Sequence, residues 1–337
     1  MKIGLYLLAI IVFSQIGNIV KFSESHALVT TFWRLLFSAC LVIPLIFATK
    51  GFTQIKELSR KHWLSIIAAS GFLFVTFTVF ILAVEQTTVA QATILFSMHP
   101  LFTAVLGAIF LAEPLTKRMK FALGMGLTGV VVLFNGNVDF ESNHILGSIF
   151  ALIAAVSFSS YLSLSKTIRK DLNNVAYTGI IYSLAAVLGL GTLTVMGMPF
   201  VENSDQSWTT FIALALFPTL LGHALFTYLL KHLNINFVSC GILAHPPLAA
   251  ISAHYLFGEI VTTTTIIGFV LTSIALASLL MPYELIKRLI NRSEKESKSP
   301  INEAIKDNFE VEIEITNPNY RFSEANTNPG IDLKKVS

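Results

Sequence analysis

Charge is what this sequence has least of. Asp, Glu, Lys and Arg make up 13% of its 337 residues, about half of the roughly 25% that a water-soluble domain carries. That shortage excludes an ordinary cytosolic enzyme, and a net charge of +3 is too small to draw nucleic acid as a partner. Cysteine is scarce as well. Cys40 and Cys240 stand far apart, each inside an apolar run, so neither a disulfide framework nor a metal-ligand spacing is available, and both read as packing residues. The sequence has no His-Glu-x-x-His, no Gly-x-Ser-x-Gly and no His followed closely by Asp. A membrane-embedded enzyme needs a constellation of that kind, so no catalytic residue and no cofactor is expected. A sensor or receptor stays a distant alternative.

Apolar residues are what the sequence has instead: 54% of the chain, with a mean hydropathy of +0.70. Of the 23 Lys/Arg and 20 Asp/Glu, 9 and 10 lie beyond residue 282, so the charges left for the first 282 residues are sparse. A hydrocarbon core about 30 Å thick takes roughly 20 apolar helical residues to cross. Scanning at that length predicts an all-α polytopic bundle of ten transmembrane helices, near 3–20, 28–48, 63–84, 89–111, 119–135, 146–165, 175–197, 210–230, 235–257 and 263–282. The runs are continuously apolar rather than alternating, which favours helices over a barrel. The first run is broken by Ser14, Gln15 and Asn18 and followed by Lys21, and it lacks the small-residue ending of a cleavable signal. It is expected to remain as the first membrane helix. The polar segment 283–337 has no long apolar face and is expected to be a disordered cytoplasmic tail. Its alternating stretch Glu310 to Ile315 is the one candidate strand.

Loop charges set the orientation, because Lys and Arg are retained in the cytoplasm. With the N-terminus inside, the cytoplasmic loops hold Lys50, Lys56, Arg60, Lys61, Lys117, Arg118, Lys120, Lys166, Arg169, Lys170 and Lys231, and the opposite loops hold Lys21. Both termini are therefore expected in the cytoplasm. The sequence also repeats at an offset of 146: His99-Pro100 falls on His245-Pro246, Ala104 on Ala250, Glu113 on Glu259 and Thr116 on Thr262. Glu85 falls on Lys231, so an outer acid becomes an inner base. Repeats of five crossings must be inverted relative to each other, an architecture shared by many secondary transporters. The predicted boundaries are 1–136 and 143–282 for the two repeats.

Several of these segments resemble the EamA-like families of the drug/metabolite transporter superfamily: Ala27 to Leu45 with Trp33-Arg34-Leu35-Leu36; Gln91 to Leu133 with Pro100, Glu113, Gly124, Gly126 and Gly129; Gly147 to Lys166; and Leu220 to Leu280 with Pro246, Gly258-Glu259 and Gly268. The resemblance spans residues 1–282. It implies a multi-pass carrier of the bacterial inner membrane, in most cases an exporter of amino acids, metabolites or toxic small molecules. Import or exchange of a phosphorylated or sugar-linked solute, as in sister branches, is the alternative within transport. The first span also resembles the first helix of the small multidrug resistance proteins in Ile16-Gly17 and Lys21-Phe22-Ser23-Glu24. Those proteins carry a membrane-embedded glutamate where this chain reads Phe13-Ser14-Gln15, so the resemblance implies no lipophilic-cation export here.

Ionisable groups inside a bilayer are costly and invite functional hypotheses. Arg34 is the deepest firm charge, able to hold a carboxylate or phosphate bidentately, or else to snorkel as a structural residue. No acid lies equally deep, which leans the solute towards anions or zwitterions. His99 and His245 precede prolines expected to kink their helices near mid-membrane; each either couples proton movement to transport or caps a freed carbonyl. Gln15, Asn18 and Tyr161 are the larger polar groups on the first and sixth spans and are candidate solute contacts, with Trp33 beside them. Tyr182, His223 and Tyr228 are weaker candidates of the same kind, and the serines between Ser157 and Ser163 read as packing groups. Glu113 and Glu259 are expected to fix tight connections, and Glu85 to be a solvated loop acid. The partners expected are a small solute, the lipid bilayer and a coupled proton.

Overall fold

A computed structural model describes residues 2–49, 51–87, 89–137, 145–201, 204–258 and 263–280. Lys50, Glu259 and the segment 283–337 with its candidate strand lie outside the described residues. Among the described residues the regular structure is entirely helical. In chain order the main helices are α1 Lys2–Val20, α2 Ala27–Ala48, α3 Arg60–Gln86, α4 Gln91–Phe110, α5 Lys117–Asn137, α6 Ile145–Ile168, α7 Asn174–Met196, α8 Asp205–Leu230, α9 Ile235–Phe257 and α10 Thr263–Leu280. Eight of them, all but α5 and α10, are long and apolar enough to cross a membrane. Each lies where the sequence places an apolar run.

The helices start and stop on local signals. Ser59 accepts from the His62 N–H and Asn173 from the Ala176 N–H, capping α3 and α7. Gly197 and Gly258 end α7 and α9 with φ of 65° and 68°, the left-handed conformation that glycine adopts without steric cost. Successive helices run antiparallel, as the contacts between their connections show. At one end His62 meets Asp171 at 3.1 Å, Gln54 accepts from the Asn173 N–H at 2.8 Å, and Lys166 pairs with Glu113 at 3.4 Å. At the other, Trp33 Nε1 donates to the Phe200 carbonyl at 2.7 Å, Ser204 donates to Glu24, and Phe22 packs on Phe257 at 5.2 Å. The first end carries the basic connections.

Helix pairing follows the repeat. α2 packs on α7 and α5 on α10, each on its counterpart, while α3 packs on α6 and α1 on α8. The helical segment that leads into α4 begins at Val89 and the restarted segment at His99; the matching segments of α9 begin at Ile235 and His245. α5 begins at Lys117 and α10 at Thr263, so all three starts recur at the offset of 146. At the α5–α10 crossing a Cβ on Gly129 would lie 3.0 Å from the Gly268 carbonyl, so the two backbones touch there. Large apolar side chains such as Phe47, Phe110, Val195 and Tyr255 point outward, as lipid-facing residues do. Cys40 shares that outward face; the expectation of a packing residue holds for buried Cys240 but not for Cys40, because α2 turns its other face to the core.

Four helices are interrupted. α1 breaks at Ser14 and Gln15, α4 between Phe96 and His99, and α9 through a 3-10 turn at Ile242–Ala244. α8 carries a π-helical segment, Ala215–His223, around Pro218. The prolines act differently from the expected mid-helix kink. Pro100 and Pro246 sit in the first turn of a restarted helix, where a missing N–H costs nothing because that donor would have no intrahelical partner.

Candidate functional site

The interruptions surround one buried layer of polar and aromatic side chains. Arg34 lies on the inward face of α2, with Leu35, Ser38, Ala39 and Val42, and is 1% exposed. Its Nε donates to Thr219 Oγ1 at 2.6 Å, and its Cζ lies 3.8 Å from the centre of the Phe77 ring. Nη2 is buried with no hydrogen-bond partner. Thr219 is part of the π segment and donates in turn to the Leu214 carbonyl five residues back, at 2.7 Å. π segments in helices concentrate at functional sites, and here the irregular turn sets the acceptor under Arg34.

Three histidines share the layer. His223, at the end of the π segment, has Nδ1 2.8 Å from the Tyr182 hydroxyl and its ring 5.0 Å from Tyr161. His99 Nδ1 is 3.1 Å from Ser239 Oγ, and its ring meets Phe158 edge-on at 5.0 Å. His245 packs its ring against Phe13 at 5.7 Å and Phe96 at 6.3 Å, and neither of its ring nitrogens has a partner. All three are buried. Phe13, Ile16, Arg34, Thr76, Phe77, Phe80, Phe96 and His245 line a cavity of about 10 Å³, the space of a single water.

The sequence candidates divide on this geometry. Arg34, His99, His245 and Tyr161 converge on the layer. Asn18 and Gln15 lie beside it: Asn18 Nδ2 donates to the Ala249 carbonyl at 3.0 Å while its Oδ1 has no partner, and Gln15 donates to Ser14 Oγ at 2.8 Å. Trp33 turns away and stacks edge-on with Trp208 at 4.6 Å near one end of the bundle. His223 and Tyr182, the weaker candidates, stand at the centre. Thr219 and the phenylalanine walls had no signal of their own in a sequence with 27 Phe, although Pro218 inside an apolar span marked the irregular turn. Glu113 accepts from the Ile235 N–H at 2.9 Å, and its carbonyl accepts from Asn236 at 2.8 Å, fixing the start of α9.

The profile of the EamA-like transporter family matches residues 2–135 and 145–281, two copies that together cover most of the chain. The chain belongs to the EamA-like transporter family. A transporter of uncharacterized specificity from Archaeoglobus fulgidus is 25% identical over 77% of this chain and 89% of its own length. Another from Clostridium kluyveri is 25% identical over 70% of this chain and 77% of its own. A crystal structure at 20% identity covers 85% of this chain and 97% of that one, with a TM-score of 0.68, and shares the fold. This EamA-like protein is thus a multi-pass membrane transporter. Its buried layer contains an Arg, three His and an aromatic wall, and stands between two family-matched halves.

Proposed function

We propose that this transporter is a secondary carrier of the cell's inner membrane that exports a small polar metabolite, such as an amino acid, by alternating access. Ten crossings form two repeats of opposite orientation, 1–136 and 143–282, with both termini in the cytoplasm. The solute binds in the layer of Arg34, His99, His245 and Tyr161, with Gln15 and Asn18 at its edge and His223 at its centre. The observation that carries this reading is a permanently charged guanidinium, fully buried and without an acidic counter-ion among the described residues, placed where four helices are interrupted. Broken backbone inside a bilayer is tolerated where it lines a cavity or is held by other protein groups. Two rigid halves pivoting about such breaks open the site to one side at a time. His99 and His245 supply the titratable groups for proton coupling.

The test uses purified protein in liposomes, screened for flux of pooled amino acids and organic anions with and without a pH gradient. Gradient-driven accumulation that depends on Arg34 and loses its pH dependence in His99→Gln or His245→Gln is the expected result. Saturable ligand binding without flux refutes the carrier reading. Orientation is read by single-cysteine labelling in a background lacking Cys40 and Cys240. Lys21→Cys and Lys61→Cys react from opposite faces if the topology is right, and from one face if it is wrong.

A further inference from the structure

The lining of the cavity is more selective than a generic polar site, and the inference that follows rests on the carrier reading above. Five of its eight walls are apolar: Phe13, Ile16, Phe77, Phe80 and Phe96. Its charged group is Arg34, whose Nε is taken by Thr219 while Nη2 has no partner. Its remaining donors and acceptors are Thr76 and the two unpartnered nitrogens of His245. No Asp or Glu lines it. We propose that the solute is a monocarboxylate with an apolar, preferably aromatic, body: the carboxylate takes the free end of the Arg34 guanidinium and a His245 nitrogen, and the body lies among the phenylalanines once the halves part, since the closed cavity of about 10 Å³ holds one water.

Alternatives fail on the same chemistry. An organic cation would sit beside a fixed positive charge with no acid to neutralise it. A phosphate dianion spreads its charge over three oxygens and needs several donors or cations, whereas one guanidinium offers one free end. A dicarboxylate would bury its second charge against rings. An aromatic amino acid is not excluded, since it keeps the carboxylate contact, but its ammonium adds nothing to binding because no Asp or Glu lines the cavity. The geometry suits guanidinium in particular, since its planar fork pairs with a carboxylate while its face lies on the Phe77 ring.

The experiment measures binding to the full chain in detergent by calorimetry, and flux in liposomes, with four probes of one body: 3-phenylpropionate, phenylalanine, phenethylamine and phenyl phosphate. 3-Phenylpropionate is expected to bind at least as tightly as phenylalanine, with phenyl phosphate weaker and phenethylamine undetected. Arg34→Lys keeps the charge but loses the fork, and weakens 3-phenylpropionate by about tenfold or more. His245→Phe weakens it while leaving the fold intact, as read by thermal unfolding. Phenethylamine binding as well as 3-phenylpropionate, phenylalanine binding tenfold tighter, or an unaltered affinity in a folded Arg34→Lys protein overturns the proposal. Flux of an unrelated solute that 3-phenylpropionate does not inhibit also overturns it while sparing the carrier reading. Binding of 3-phenylpropionate without flux of any solute upholds the site and sinks the carrier.

Discussion

Arg34 should add almost no net stability to the protein, and the structure allows the balance to be worked out. Burying an ionised group carries a penalty of several kcal/mol even after relaxation. Against it stand one charged hydrogen bond to Thr219, of about 1.5–3 kcal/mol, and the Phe77 contact at 3.8 Å, of about 0.5–2 kcal/mol. The two terms roughly cancel. Arg34→Met, which fills the space with an apolar chain and leaves Thr219 its own bond to Leu214, should therefore be within about 1 kcal/mol of neutral or stabilising. Thr219→Val is the opposite case. It keeps the shape, strips the guanidinium of its acceptor and should destabilise by about 1–3 kcal/mol. In the Arg34→Met background the same change should cost less, because the stranded donor is gone, giving a coupling of about 1–2 kcal/mol. Reversible unfolding in mixed detergent micelles measures all four corners of the cycle, and liposome flux measures function alongside. Arg34→Met should be as stable as the parent and inactive. A loss above about 3 kcal/mol in Arg34→Met together with a neutral Thr219→Val would refute the reasoning, since the charge would then be held by groups other than those named.

Three further sets of substitutions test the packing of the bundle. A Cβ on Gly241 would lie 1.9 Å from the Tyr6 hydroxyl oxygen, which now donates to the Phe237 carbonyl at 2.6 Å; Gly241→Ala should cost about 1–3 kcal/mol, and adding Tyr6→Ala should recover part of it, as thermal unfolding will show. Glu113→Gln keeps an acceptor for the Ile235 N–H but loses the Lys166 ion pair, for a loss below about 1 kcal/mol. Glu113→Ala loses both and should cost about 1–2 kcal/mol more; equal losses in the two variants would mean the ion pair matters and the cap does not. Gly129→Leu drives a side chain into α10 at Gly268 and Thr272 and should lower the unfolding temperature far more than Gly124→Leu, whose Cβ position meets nothing within 4 Å.

The fold was largely legible because its strongest determinants are local. Twenty-residue apolar runs fix the helix positions to within a few residues, and the His-Pro recurrence at offset 146 located the start of the restarted helices in α4 and α9. The sequence reads those prolines as kinks within one continuous span, whereas in the structure each stands in the first turn of a restarted helix. The sequence does not show that Ser97 and Met98 would leave the helix. The site was only half legible. Arg34, His99 and His245 stood out because ionisable groups in an apolar run are rare, whereas the walls that define the cavity are phenylalanines, which a membrane chain uses everywhere. Helical geometry alone does not set Trp33 aside, since Arg34 and its other neighbour Leu35 both face inward; the contact with Trp208 does.

Several polar residues that the sequence offers to a solute are engaged by carbonyls of the restarted helices, and this narrows the groups that remain free along the cavity. The His99 carbonyl, at the restart of α4, accepts from Ser159 on α6 at 2.8 Å and from Thr103 at 3.1 Å. The Ala249 carbonyl of α9 accepts from Asn18 on α1 at 3.0 Å. The first helix of each family-matched half thus serves the fourth helix of the other. Both carbonyls belong to the restarted helices His99–Phe110 and His245–Phe257, so these bonds tie the two halves together beside the breaks rather than filling carbonyls that the breaks have freed. Once these donors are assigned, the unpartnered polar atoms lining the cavity are those of Arg34 and His245. Ser159 and Asn18 are spent on joining the halves, and the cation and the imidazole are left to recognise what enters.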